Sequence, residues 1–274
     1  TISISFDAPT NSSYYDYFTV SLQNSAGTVL ASKATGKDTS FDVGVDSAGE
    51  YFIVIEDAEY LTTDAYSISA SVDVSDDAIN NSETENNDTF TSADLLEMGT
   101  AISGQLSTSS DIDHYKFDIQ QASTFRLVFD APTNSTNNLY FIASVLDSAG
   151  NFMSSHQFGA DNVFSTSLAN AGTYYLQISD SSLHDDGQYS LLGSLTSGTN
   201  GYETEVNDSR FAADTIVPGQ SIEGQLWWET DVDYYSVSTS DAATISISFD
   251  APTNSNYYDY FTVSLQNSAG TVLA

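Results

Sequence analysis

Residues Thr1–Ala31 return at Thr244–Ala274 with a single change, Ser13 becoming Asn256. A third, diverged copy lies between them, because Phe6-Asp7-Ala8-Pro9-Thr10-Asn11 recurs at Phe129–Asn134 and again at Phe249–Asn254. The steps between these copies are 123 and 120 residues. A fixed step of that size is the length of an ordinary domain, so it predicts tandem domains rather than a solenoid of short repeats. It also predicts a window that opens and closes partway through a unit, cut from an array with a natural period of 243 residues, two domains long.

Short segments of period two run through every unit. Ile2, Ile4 and Phe6 alternate with Ser3 and Ser5, and Tyr66, Ile68 and Ala70 alternate with Ser67 and Ser69, which predicts half-buried strands. Asn24-Ser25-Ala26-Gly27 and Asp147-Ser148-Ala149-Gly150 supply turn chemistry between them. A short helix is expected over Ser92–Met98. The spacing divides the chain into the C-terminal part of a domain at 1–74, a complete domain at 83–196 and the N-terminal part of a domain at 203–274, with a polar boundary at Ser75–Asn81.

Charge limits the partners. There are 38 Asp and Glu against five Lys and Arg, a net charge of -33, which repels nucleic-acid backbones and anionic lipid surfaces. A hydrophobic content of 40% distinguishes the chain from a disordered acidic tail. With no cysteine, neither a disulfide nor a thiolate metal site can staple the domains, which leaves oxygen-ligated cations. The absence of an apolar run of about 18 residues argues against membrane insertion. Thr1 opens inside a strand pattern, so any export signal is expected outside this window.

Two sets of oxygen ligands recur 120 residues apart: Glu83, Glu85, Asn87, Asp88 with Asp111 and Asp113, and Glu203, Glu205, Asn207, Asp208 with Asp231 and Asp233. Two like charges about 4 Å apart repel by roughly 4 kcal/mol at an effective dielectric of about 20, so convergent carboxylates call for a cation or for protonation. Ca²⁺ fits best because it takes many hard oxygen ligands in flexible geometry, whereas Mg²⁺ requires a stricter octahedron. The bland alternative is a solvated acidic linker, against which the return of all six ligand types counts.

The run Glu-x-Glu-x-Asn-Asp, then Ile102-x-Gly104-x-Leu106, Asp111-x-Asp113-x-Tyr115-x-Phe117, Gly172-x-Tyr174-Tyr175 and Tyr189-x-Leu191 resembles the bacterial pre-peptidase C-terminal domain family. That family includes the calcium-dependent collagen-binding domains of secreted collagenases. The resemblance covers the middle unit fully and the end units in part. It implies an all-β fold of tandem jelly-roll-like antiparallel β-sandwich domains, exported, with the twelve residues above as calcium ligands. A collagen-binding surface does not carry over.

Catalytic readings find little support. His114 is replaced by Tyr234 one step later, and His156 and His184 stand opposite Lys33 and Leu61 one step earlier. The histidines are therefore expected to be scattered on the surface, and no enzyme is expected. Tyr14-Tyr15-Asp16-Tyr17 and Trp227-Trp228 offer aromatic surfaces for a sugar, a peptide or a neighbouring subunit, or are ordinary edge aromatics. The function expected is a calcium-stabilised extracellular array, structural or adhesive, at the cell surface. Its partners would be neighbouring repeats or like chains, with extracellular protein or polysaccharide polymers as further candidates. The alternative is a set of substrate-binding accessory domains of a secreted hydrolase. A filament in which one subunit completes another's half domain is a third reading, weakened by the overlap of the repeated ends.

Overall fold

The computed structural model describes residues 1–9, 15–45, 47–58, 60, 65–74, 81–135, 137–199, 201–226, 230–251 and 260–274. Tyr14, Tyr257, Tyr258, the Trp227-Trp228 pair and most of the proposed boundary, residues 75–80, lie outside them. The chain divides into two compact units, Thr1–Val237 and Ser238–Ala274. The described residues form strands, turns and irregular segments, with no helix.

In the first unit, β1 (Ile2–Asp7), β2 (Phe18–Gln23), β3 (Val29–Thr35), β4 (Thr39–Val43), β5 (Phe52–Asp57) and β6 (Ser67–Val72) precede the middle domain. The middle domain contains β7 (Asp94–Leu95), β8 (Ala101–Gly104), β9 (Ile112–Ile119), β10 (Ser123–Asp130) and β11 (Phe141–Asp147). It continues with β12 (Phe152–Phe158), β13 (Asn162–Leu168), β14 (Gly172–Asp180) and β15 (Tyr189–Ser197). After it come β16 (Asp214–Thr215) and β17 (Tyr235–Ser236), paired in parallel.

The middle domain is a jelly roll. Its sheets run β13-β10-β15-β8 and β12-β11-β14-β9-β7. Numbering β8 to β15 as one to eight, this reads 6-3-8-1 and 5-4-7-2, the double Greek key of that architecture. All pairings among these eight strands are antiparallel. Alternation explains the two-layer core. On β10, Phe125, Leu127 and Phe129 are buried while Arg126 and Asp130 are exposed, and the inward rings meet those of the facing sheet, Phe117 on Phe125 at 4.5 Å and Phe129 on Phe158 at 4.7 Å. Leu127 is completely buried, so Leu127→Ala is expected to cost about 3 kcal/mol through lost transfer energy and the cavity left behind, read as a lower midpoint in urea unfolding.

Residues 1–74 repeat part of this plan. Their sheets, β4-β1-β6 and β3-β2-β5, correspond one step of 123 residues earlier to β13-β10-β15 and β12-β11-β14. Strands three to eight of the jelly roll are present, around a core that includes Ile4, Phe6, Val20, Leu22 and Phe41. Strands one and two are not.

The same joint is built twice. A parallel bridge links Gly44 to Thr84, and another links Ser167 to Thr204. The Gln105 amide Nε2 donates to the Ser32 carbonyl at 3.1 Å, and the Gln225 Nε2 donates to the Ser155 carbonyl at 3.0 Å. Gly44 and Ser32 stand one step of 123 before Ser167 and Ser155, and Thr84 and Gln105 one step of 120 before Thr204 and Gln225. At the first joint a β-carbon on residue 44 would collide with the Glu83 carbonyl, so the close approach of the two backbones requires glycine there.

Two expectations are corrected. In place of a helix over Ser92–Met98, turns flank the two-residue β7, which pairs in parallel with the edge of β9. The Leu96 amide donates to the Lys116 carbonyl at 2.9 Å: the open edge of β9 satisfies backbone groups that a helix would have satisfied internally. His114 is not a surface residue. It is buried, with Phe90 of the entry segment packed edge-on at 5.0 Å, so a loop covers a position that strand alternation alone would expose. Burial lowers its pKa and favours the neutral ring.

Candidate metal centre

Each cluster forms where the segment entering a domain lies against the start of a strand. The entry segment is held at its first turn by backbone pairing, Glu83 N to Ser103 O at 2.8 Å and Glu203 N to Glu223 O at 2.8 Å. Asp94 then fastens the next residue, accepting from Thr84 N at 2.8 Å and from Thr84 Oγ1 at 2.6 Å. Asp214 repeats this on Thr204 at 2.7 Å for both bonds. With Thr84 turned toward Asp94, Glu83 and Glu85 are directed at β9, where Asp113 waits. One carboxylate oxygen from each of Glu83, Glu85 and Asp113 lies within 4.8 Å of the others, and so do those of Glu203, Glu205 and Asp233.

The surrounding hydrogen bonds show which oxygens are already committed. Glu83 Oε1 accepts from Gln105 N, and Oε2 accepts from Tyr115 OH at 2.6 Å. Tyr189 OH donates to Asp113 Oδ2 and stands 2.8 Å from Tyr115 OH. The Asn87 amide nitrogen donates to Glu83 Oε2 at 3.4 Å and to Asp94 Oδ2 at 3.2 Å, which turns Asn87 Oδ1 away from them. Glu85 Oε1, Asn87 Oδ1 and Asp113 Oδ1 are then buried without a hydrogen-bond partner. In the second cluster the orphaned atoms are the same three, Glu205 Oε1, Asn207 Oδ1 and Asp233 Oδ1.

Asp111 and Asp88 belong to the outer side. Asp111 accepts from Ser107 N at 2.6 Å and from Ile112 N at 3.0 Å, and Asp88 Oδ1 also accepts from Ile112 N at 3.3 Å. Together with Glu85 they line an open cavity of about 120 Å³. In the second cluster Asp208 Oδ1 accepts from Val232 N at 3.2 Å, and Asp231 is buried. All six positions of the first set are thus gathered around one entry segment, three as a tight group with Asn87 beside it and two toward solvent.

Burial is the largest cause of every carboxyl shift in the first cluster. It pushes Glu83 up to about 8 and Glu85 up to about 10, where repulsion from Glu83 and Asp111 adds to the effect. Asp111 rises to about 6, and Asp113 rises well above its ordinary value, with Glu83 and Glu85 again adding repulsion. The second cluster follows at Glu205, about 8, and Asp233, about 7. A bound cation would compensate the charge of these groups and favour their ionised forms.

The donor set fits a hard divalent cation. Every available atom is an oxygen, and Ca²⁺–O bonds of about 2.4 Å allow two ligands of one ion to be at most about 4.8 Å apart, a limit within which these carboxylate oxygens lie. Asp94, Gln105, Tyr115 and Tyr189 support the cluster without being candidate ligands. Their signal was present in the sequence, since Asp214, Gln225 and Tyr235 stand 120 residues after the first three and Tyr66 stands 123 before the last. Tyr115→Phe is expected to weaken metal affinity about 10- to 100-fold while leaving the number of sites unchanged, as measured by calcium titration.

No protein-family model and no curated protein matches the chain. Among solved structures, the pre-peptidase C-terminal domain of collagenase from Bacillus anthracis is similar at 20% identity, covering 37% of this chain and 94% of that one, with a TM-score of 0.30. The CUB1-EGF-CUB2 region of human MASP-1/3 is similar at 11% identity over 70% and 89%, with a TM-score of 0.24. The VP2 subviral particle of infectious bursal disease virus is similar at 13% identity over 71% and 54%, with a TM-score of 0.25. The jelly-roll assignment itself rests on the strand order.

Proposed function

We propose that this chain is part of an extracellular, calcium-stabilised array of pre-peptidase-C-terminal-like β-sandwich domains with a structural or adhesive role, and that it is not an enzyme. The observation that carries this reading is the recurrence, at both domain entries, of the same three buried oxygens without a partner. Glu83, Glu85, Asn87 and Asp113 would hold the ion at the first entry, with Asp88 and Asp111 on its open side. Glu203, Glu205, Asn207, Asp208, Asp231 and Asp233 would do so at the second. The ion supplies positive charge and no reaction.

The mechanism is mechanical. Thr84, between the ligands Glu83 and Glu85, bridges to Gly44 of the preceding half domain, and Thr204 bridges likewise to Ser167. The ligand segment is therefore itself the joint. Neutralising its carboxylates docks it on its own sandwich and fixes the angle to the domain before it. Extracellular calcium and a net charge of -33 suit such an array, because the bound cations relieve repulsion that would otherwise disorder the entry segments.

Titration of the EDTA-treated protein with calcium is expected to show saturable binding, weakened by Asp113→Asn and Glu85→Gln. No saturable binding would sink the reading. Because a side chain at residue 44 would collide with the Glu83 carbonyl, Gly44→Val is expected to force the first joint apart and weaken the first cluster while sparing the second, giving a larger radius of gyration by small-angle scattering and one weakened site in calcium titration.

A further inference from the structure

We propose that copies of this chain associate side by side through the outer face of the middle domain's four-stranded sheet, two copies packing face to face about a two-fold axis. A row of apolar side chains crosses that face. Val128 stands opposite Val163 on one side and Leu192 on the other, and Leu192 stands opposite Ala101, so the row spans β13, β10, β15 and β8. The intervening Leu127, Phe129 and Leu191 fill the core, which leaves the row on the solvent side by alternation. Val163 is 51% exposed and Leu192 36%, with the bridges from Gly44 to Thr84 and from Ser167 to Thr204 both formed. Neither joint covers this face.

The row is not a requirement of the fold. One step of 123 residues earlier, Ser5, Ser40 and Ser69 take the places of Val128, Val163 and Leu192 in the same register. That sheet forms with serine at all three positions, so the apolar row in the middle domain answers to something outside its own sheet.

Charge identifies the occupant. The four strands carry one basic and one acidic residue, Arg126 and Asp130, which makes them neutral in a chain of net charge -33. A second copy meets little repulsion there. Arg126 and Asp130 are both exposed on β10, on either side of Val128, and the strand holds them about 13 Å apart, out of each other's reach. Among the described residues neither enters a salt bridge. Asp161, just before β13, is turned to the Ala131 amide at 3.1 Å.

A two-fold axis along the apolar row reverses the strand direction and lays the row on itself. Val128 then meets Val128, and Arg126 of each copy stands over Asp130 of the other. An axis along the strands would instead set Arg126 against Arg126, so the charges select the first arrangement. Ser165 and Ser194 flank Arg126, and Ser190 flanks Asp130; these short side chains let the two sheets approach to the usual separation of about 10 Å. Four strands by five residues cover about 300 Å² per copy, less than a stable interface needs, so one contact is weak and contacts repeated along two arrays reinforce one another. The contact uses neither metal cluster and does not rest on the calcium reading.

The chain has no cysteine of its own, which makes cross-linking selective. Val163→Cys, on the axis, is expected to be joined to itself by a short bismaleimide roughly five-fold more than Ser40→Cys, the same position on the serine face. Adding Arg126→Asp to the Val163→Cys protein leaves the row acidic on both sides, and adding Asp130→Arg leaves it basic on both sides. Each protein alone is expected to fall to the control level, and a mixture of the two to recover the cross-link as the heterodimer, identified by its mass. The same two changes mixed in the Ser40→Cys background should recover nothing. All the substituted positions are exposed, and folding is checked by circular dichroism and by calcium titration. A Val163→Cys dimer no more abundant than the Ser40→Cys dimer, or a mixture that recovers no cross-link, would overturn the proposal whether or not calcium binds.

Discussion

Removing calcium with EDTA is expected to lower the melting temperature of this protein by roughly 10–20 °C. The size follows from linkage. At free calcium about 100 times the dissociation constant, each site adds about 2.7 kcal/mol, and the described residues of the first unit form two clusters. For a domain assembly of about 150–250 residues, each kcal/mol moves the midpoint by about 2–4 °C. Magnesium is expected to restore less of the loss, because it gives up its water reluctantly and the three orphaned oxygens of each cluster are buried. Scanning calorimetry in calcium, magnesium and EDTA measures all three. An unchanged midpoint in EDTA would remove the structural role assigned to the cation.

Without metal, the protein is expected to lose stability as pH rises from about 5 to about 9, against the usual behaviour of carboxylates. In the unfolded chain Glu and Asp ionise near 4.3 and 3.9. In the folded, metal-free protein, burial first and mutual repulsion second hold Asp111 up to about 6, Glu83 to about 8 and Glu85 to about 10. Between those limits the native state binds more protons than the unfolded state, so stability falls with rising pH and is greatest where the cluster stays protonated. Bound calcium reverses the sign. The carboxylates are then ionised in the native state, and stability is lost only on acidification. Calcium binding near pH 7 should therefore release protons, visible as a calorimetric enthalpy that depends on the ionisation heat of the buffer. Identical pH slopes with and without calcium would contradict the clustering of these groups.

Much of this was legible from residue types at fixed steps. The alternation of Ile2, Ile4 and Phe6 and the recurrence of six oxygen-bearing residues in each set are read from the sequence alone. The supporting shell was harder to read, because Asp94, Tyr115 and Tyr189 act through contacts between residues up to 106 positions apart, such as Tyr189 with Glu83. The burial of His114 escapes the sequence for a related reason: strand periodicity reports which face a side chain leaves from, and not whether a loop carrying Phe90 closes over that face. The helix expected at Ser92–Met98 gave way because the edge of β9 offered backbone partners that a local pattern does not reveal.

The repeated 31 residues separate what sequence and tertiary structure each decide. In both copies the turn is the same: Asn24 Oδ1 accepts from Ala26 N and Thr28 N at 3.0 Å, and Asn267 Oδ1 accepts from Ala269 N and Thr271 N at 3.0 Å. Gly27 and Gly270 follow with φ of 82° and 84°. Phe6 meets Phe18 at 5.0 Å, and Phe249 meets Phe261 at 5.1 Å. The strands differ. Ile2–Asp7 is a central strand between β4 and β6 with Ile4 and Phe6 buried, whereas Ile245, Ile247 and Phe249 are exposed and assigned to no strand. Turns close over a few residues, and their own side chains satisfy them, so sequence alone determines them. A strand's hydrogen bonds lie on other strands. Residues 39–72 provide those partners to the first copy, whereas the second copy makes backbone hydrogen bonds within the hairpin of residues 265–274.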